Sequence, residues 1–112
     1  MKKVFIALLG SSIMCAPAFA EGYRTYGMAT QDCKSVLDTY KGAVGDLALM
    51  SYVGGYVTGL NAALPNNDDV SNSEDVANLA KMVMVSCKAH KMWNFEETIK
   101  VVLGRIQQQT SE

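Results

Sequence analysis

The sequence has little charge of either sign and few prolines. Ten Lys and Arg residues stand against 11 Asp and Glu residues among 112, and the formal net charge is −1. Nucleic-acid-binding proteins usually carry a clear excess of basic residues, so this balance argues against a nucleic-acid partner. Charged residues make up 19% and hydrophobic residues 49% of the chain, which favours a folded chain over a disordered one. The length predicts one small domain, with no Pro-rich linker dividing it.

The chain also has little of what catalysis needs. Its single histidine is His90, and it has neither a Gly-rich phosphate loop nor the spacing of a calcium loop. Acid/base or nucleophilic chemistry requires a nucleophile, a base and an orienting group. We therefore expect no enzyme, no cofactor and no metal ion, and we expect His90 to be a surface residue that ends a helix. Adjacent carboxylates occur in predicted loops or at predicted helix starts, where acids favour the helix dipole: Asp68–Asp69, Glu74–Asp75 and Glu96–Glu97.

The first twenty residues have the three parts of a secretory signal. Lys2 and Lys3 form a positive n-region, residues 4–13 an apolar core, and Ala18-Phe19-Ala20 a small-x-small cleavage site. The alternative is a membrane anchor, but the apolar core is far shorter than the ~20 residues that a span requires. We expect cleavage after Ala20, export through the Sec pathway to the periplasm, and one helical domain over residues 21–112.

Two cysteines remain after that cleavage, because Cys15 lies within the signal. Cys33 and Cys87 are expected to form a disulfide in an oxidising compartment. Closing a loop of this length stabilises a fold by about 4 kcal/mol on the chain-entropy model. The alternative, a redox or metal-binding pair, has no C-x-x-C motif to support it.

Four helical segments are predicted, over residues 30–40, 46–64, 71–89 and 94–108. Thr30 is a candidate cap for the first, and Gly42 and Gly45 are expected in the turn that follows. A capping-box pattern predicts that the third helix begins at Ser71 with Glu74, and a similar pattern begins the fourth at Asn94. The predicted fold is all-α, a single-domain bundle of about four helices closed by one disulfide.

Apolar side chains at helical spacing predict which faces are buried. Off these faces lie Met82, Val85 and Val101, which are either covered by other helices or form a surface for a partner or for self-association. The buried faces are Cys33, Val36, Leu37 and Tyr40 in the first helix; Val76, Leu79, Ala80, Val83 and Cys87 in the third; and Phe95, Ile99, Val102 and Ile106 in the fourth.

The second segment is the most apolar. Its length suggests a membrane span, but Asp46, Ser51, Thr58 and Asn61 interrupt it, so we expect no stable span after signal cleavage. Within it, Gly55-x-x-x-Gly59 predicts the close approach of a neighbouring helix.

Three stretches together resemble a known family. They are Cys33-Lys34-Ser35-Val36-Leu37, the run from Tyr52 to Asn61 (YVGGYVTGLN), and Cys87-Lys88 followed by Asn94-Phe95. In this order they are similar to the HdeA/HdeB family of small helical periplasmic acid-stress chaperones, and the likeness covers most of residues 21–112. The YVGGYVTGLN element also resembles Tai-type immunity proteins of type VI secretion.

The resemblance implies a folded dimer at neutral pH that partly unfolds in strong acid and binds unfolding client proteins through exposed apolar surface. The second likeness implies the alternative, a periplasmic immunity protein that caps a toxin, for which the acidic loop over residues 66–74 is suited. A structural or assembly accessory is a third possibility. The expected partners are therefore other proteins, including a second copy of the chain. Apolar composition places the client or dimer contacts at Leu49, Met50, Tyr52, Val53, Tyr56 and Val57.

Overall fold

The computed structural model describes residues 26–111, which contain four α-helices and two short 3₁₀-helices. The α-helices are α1 (Cys33–Thr39), α2 (Gly42–Ala63), α3 (Val76–Ala89) and α4 (Phe95–Ser111). The 3₁₀-helices are Gly27–Thr30 and Pro65–Asn67. No β-strand occurs in this part of the chain, and the predicted all-α fold is confirmed. The predicted signal, with Cys15 and the cleavage site at Ala20, lies outside the described residues.

Helix α1 begins later than predicted because an aspartate caps it. The Asp32 carboxylate accepts a hydrogen bond from the Ser35 N–H at 2.8 Å, which satisfies one of the free amides of the first turn. Thr30, the predicted cap, instead donates its hydroxyl to the Gly27 carbonyl within the preceding 3₁₀-helix. The prediction of Thr30 as the cap is therefore wrong.

Helix α2 begins four residues before the predicted start, and its glycines explain the difference. Gly42 takes a left-handed φ of +69° at the first helical position. Gly45 lies inside the helix, where an added Cβ would collide with the backbone carbonyl of Tyr40. The two glycines thus allow a tight entry into α2 and do not form a separate turn. The predicted end is correct to one residue, since Pro65 cannot continue the helix.

Helix α3 begins at Val76 and the predicted capping box at Ser71 is wrong. Asp75 is the cap, and its carboxylate accepts from the N–H groups of Ala77 at 3.1 Å and Asn78 at 3.4 Å. Asn72 and Ser73 have positive φ angles of 55° and 64°, which are incompatible with a right-handed helix there. The fourth helix begins as predicted, because the Asn94 side chain accepts from the Glu97 N–H at 3.2 Å, and it extends to Ser111, beyond the predicted end at residue 108.

Helix α3 is central, and it packs against α1, α2 and α4. The predicted disulfide is confirmed: Cys33 and Cys87 are joined at an S–S distance of 2.05 Å and are fully buried. It links the first residue of α1 to the last turn of α3. Most of the predicted helix faces are buried, including all four predicted residues of α4; Leu37, Tyr40 and Val76 are half-buried.

The glycine pattern in α2 does not receive a neighbouring helix. An added Cβ at Gly55 or Gly59 would meet nothing within 4 Å, so the predicted close approach at these positions is wrong. Gly54 is the glycine that faces α3, where its Cβ would lie 3.1 Å from a Val76 methyl. Within residues 26–111, no helix combines the length and apolar character that crossing a membrane requires.

Candidate functional site

The predicted contact residues on α2 divide into two sets. Leu49, Val53 and Val57 are buried in the core of the chain itself, each less than a tenth exposed. Met50, Tyr52 and Tyr56 are half-buried. The buried three reach a client only when α2 separates from the other helices. Their role in client or dimer contact stays a prediction.

Both tyrosines of this stretch tie α2 to other elements. The Tyr52 hydroxyl donates to the Tyr26 carbonyl at 3.0 Å, and its ring packs on Phe95 with centroids 6.1 Å apart. Burial, and then the charge of Glu96, raise the pKa of Tyr52 above its usual value. The Tyr56 hydroxyl donates to the largely buried Glu96 carboxylate at 3.0 Å. Contacts from α2 thus reach both the segment before α1 and the first turn of α4.

A single carboxylate organises the connection between α2 and α3. One oxygen of Asp69 accepts from the Ser71 hydroxyl at 2.7 Å, the Ser71 N–H at 3.0 Å and the Asn61 amide at 2.9 Å. Its other oxygen accepts from the Ser73 N–H at 2.8 Å. These donors, with the Ser71 groups first, lower the pKa of Asp69 from 3.8 to about 2. Asp69 is therefore the carboxylate on which the loop geometry depends.

Asn61 connects that loop to the end of α2. Its side-chain oxygen accepts from the Val70 N–H at 2.8 Å while its amide donates to Asp69. Asn61 is the last residue of the YVGGYVTGLN element, so part of that element serves to hold the loop. Sequence reasoning missed the role of Asp69, although an aspartate two residues before a serine is a common turn pattern.

Carboxylates also shape the outer side of α1. The Ser35 amide, by hydrogen bonding, lowers the pKa of Asp32. The Lys34 ammonium, 2.7 Å away, lowers the pKa of Asp38, and Lys41 and Lys91 act in the same direction. Both carboxyl groups are at the surface, so each interaction is screened by water.

His90 lies where the sequence predicted, at the surface and at the C-terminal end of α3. Its backbone N–H bonds the carbonyls of Ser86 and Cys87, and its ring stacks on Trp93 with centroids 3.7 Å apart. Within residues 26–111, no group of three or more His, Cys, Asp or Glu side chains is arranged to hold a metal ion. The position of His90 is that of a helix cap.

Two of the three residues predicted to lie off the buried faces are exposed. Val85 is 67% exposed and Met82 is 37% exposed, whereas Val101 is half-buried. They place apolar surface on the outer side of α3.

No family model, curated protein or solved structure matches the chain, so the resemblance to the HdeA/HdeB family rests on the quoted residues.

Proposed function

We propose that the protein is an exported chaperone-like protein that binds unfolding client proteins in strong acid. The observation that supports this most directly is the hydrogen-bonded Asp69, whose pKa of about 2 makes the α2–α3 connection sensitive only to strong acid. Carboxylates also cap α1 and α3, at Asp32 and Asp75. A protonated carboxyl group accepts hydrogen bonds less strongly, and the Ser35 hydrogen bonds lower the pKa of Asp32, so strong acid weakens the start of α1 as well as the α2–α3 connection.

The direction of the pH effect follows from the sign of the shift. The pKa of Asp69 is lower in the folded state than its ordinary value of 3.8. The carboxylate therefore stabilises the fold above about pH 4, and that contribution disappears as the pH falls toward about 2. For a group this exposed, we expect about 1 kcal/mol after solvent screening.

Helix α2 is the element that acid is expected to release. The disulfide joins α1 to α3 but does not involve α2, which is held by its two backbone connections and by non-covalent contacts. Over its 22 residues α2 carries one charged side chain, Asp46, and it contributes Leu49, Val53 and Val57 to the core. Separation of α2 would expose these apolar side chains and the surfaces of α3 and α4 beneath them. Apolar surface that becomes exposed in this way binds the apolar segments of unfolding chains.

The first experiment is light scattering from an acid-labile client protein, with and without the purified protein, at pH 2 to 3 and at pH 7. We expect suppression of aggregation only in acid. Failure to suppress aggregation at either pH would contradict the proposal.

A matched pair of core variants separates client contact from simple loss of stability. Val57→Ser and Val83→Ser both place a hydroxyl in the core, and only Val57 is on α2. Since the proposal assigns client contact to α2, Val57→Ser should reduce suppression in acid more than Val83→Ser. Equal suppression by the two variants would remove α2 from the mechanism.

The order of the α2–α3 loop favours a second candidate, a neutral-pH binding protein that caps a toxin. Asn66, Asn72 and Ser73 hold left-handed backbone conformations, and Asp69 fixes the turn that contains two of them. A pre-organised loop loses little conformational entropy on binding. The test is affinity capture at pH 7 with the wild-type chain and with an Asp68→Asn/Glu74→Gln variant. A toxin that both chains retain equally would contradict a role for the loop.

A further inference from the structure

The outer face of α3 forms an apolar ridge between two grooves. Val85, which is 67% exposed, lines both of them. The groove between α3 and α4, of about 420 Å³, is also lined by Met82 and Ile106. The groove between α2 and α3, of about 410 Å³, is also lined by Met50 and Met84. The ridge therefore has a concave, partly apolar groove on each side.

Basic side chains border both grooves. Lys81 lines the two of them, Lys88 lines the α2–α3 groove, and Arg105 lines the α3–α4 groove. Asp46 is the one acidic residue among those that line them. An apolar ridge with positive edges suits an occupant that is apolar on one side and carries negative charge on the other.

A third groove extends this positive surface beyond the end of α3. It has a volume of about 410 Å³ and shares Asp46, Met84 and Lys88 with the α2–α3 groove. The other charged side chains that line it are Lys34, Lys41, Lys91 and Asp38. Asp38 is paired with Lys34 at 2.7 Å, which leaves Lys41, Lys88 and Lys91 against Asp46, so the third groove also has an excess of positive charge.

An acidic loop lies outside these grooves. No Lys or Arg occurs between Lys41 and Lys81, and the α2–α3 loop within that interval carries four acidic residues: Asp68, Asp69, Glu74 and Asp75. Although the whole chain is close to neutral, this acidic loop lines none of the three grooves. The three grooves together form one surface, which we call the α3 face.

We propose that the α3 face is a docking surface, in the folded protein at neutral pH, for an acidic amphipathic helix of a partner protein. Helices commonly bind in grooves between helices through an apolar face, with charge pairs at the edges. Residues 1–25 of this chain do not match that chemistry, since they carry Lys2, Lys3 and Arg24 against Glu21. A ridge between two grooves also fits the interdigitating side chains of a helix better than it fits the flat surface of a bilayer. The inference does not depend on the acid-state activity proposed above.

The probe is a fluorescein-labelled synthetic helix of about 14 residues, with Leu at i, i+3, i+4 and i+7 spacing and Glu at the remaining positions. A second peptide replaces every Glu with Lys. Fluorescence anisotropy with the oxidised protein at pH 7 should show the acidic peptide binding at least tenfold more tightly than the basic one. Added salt should weaken that binding, because the edge contacts are exposed charge pairs.

Two pairs of variants test the named residues. Val85→Ser should weaken binding of the acidic peptide about tenfold through loss of buried apolar area, whereas Val44→Ser should not. Val44 is 83% exposed and lines none of the three grooves. Lys81→Glu should likewise weaken binding at least tenfold and Lys100→Glu should not. Because Val85 and Lys81 are exposed, both variants are expected to keep the wild-type far-UV circular dichroism.

Four results would overturn the inference. The first is equal or undetectable binding of the two peptides, and the second is binding that Val85→Ser leaves unchanged. The third is binding to phosphatidylglycerol vesicles without binding to the acidic peptide, which would make the α3 face a lipid-binding surface. The fourth is a dimer in sedimentation that Val85→Ser dissociates and the peptide does not displace, which would make a second copy the occupant.

Discussion

Replacing Asp69 with Asn tests how the α2–α3 loop responds to pH. The side chains have nearly the same shape, so Asp69→Asn removes charge and one acceptor without opening space. The remaining oxygen can still accept from Ser71 and Asn61. The new amide nitrogen cannot accept from the Ser73 N–H, which the wild-type carboxylate binds at 2.8 Å. The variant therefore loses one hydrogen bond and weakens the others.

The expected magnitude follows from the pKa shift. A change from 3.8 to about 2 corresponds to at most about 2.4 kcal/mol of folding free energy. Asp69 is exposed, and solvent screening reduces this to about 1 kcal/mol. The difference between wild type and variant should be largest above about pH 4. It should shrink as the pH falls to about 2, where about half of the wild-type carboxyl groups are protonated.

The assay is urea unfolding at pH 7, 4 and 2, followed by the fluorescence of Trp93. Asp68→Asn is the matched control, since Asp68 is an exposed carboxyl group in the same loop. A difference between wild type and Asp69→Asn that stays constant from pH 7 to pH 2 would refute the linkage argument. Equal stability of the two proteins at pH 7 would refute the structural role of Asp69.

Three further predictions concern the disulfide, a buried hydrogen bond and the glycines of α2. The free energy of unfolding of the Cys33→Ser/Cys87→Ser variant should be about 4 kcal/mol lower than that of the oxidised wild type. In urea unfolding, the reduced wild type should have the same stability as this variant. Tyr56→Phe should lower the free energy of unfolding by about 1 kcal/mol, because it removes the hydrogen bond to the largely buried Glu96; a value within error of wild type would show that the bond contributes nothing net. Gly45→Ala should destabilise the fold, since a Cβ would collide with the Tyr40 carbonyl, whereas Gly55→Ala meets open space within a helix and should stabilise it by about 0.5–1 kcal/mol. The melting temperatures of these two glycine variants should shift in opposite directions from that of the wild type. A shift in the same direction would contradict the packing at Gly45.

The local spacing of apolar residues predicted that the helices form and which faces of α3 and α4 are buried. The 3.6-residue period brings Leu79 and Val83 onto one side of α3, and that side is buried. Caps were less predictable, because similar polar patterns precede many turns. Asn94 caps α4 as expected, but the Ser71 hydroxyl donates to Asp69, a contact that the capping-box pattern does not encode.

The periodicity of apolar residues did not predict which side of α2 is buried, because apolar residues occur on all sides of this helix. Leu49 and Val53 are buried, whereas Val44 and Leu47 on the same helix are exposed. A pattern without a polar face does not indicate which side meets the core. The predicted contact stretch therefore mixed core residues with half-buried ones.

The amino-acid sequence by itself determined the helical class, the presence of Cys33 and Cys87 and the absence of Lys and Arg between Lys41 and Lys81. These properties depend on composition and on short-range spacing. Only the tertiary structure decided that Asn61 and Ser71 converge on Asp69, and that Lys34, Lys88 and Arg105 border one surface around Val85. Those arrangements depend on contacts between elements far apart in the chain, and packing of the helices around α3 creates them.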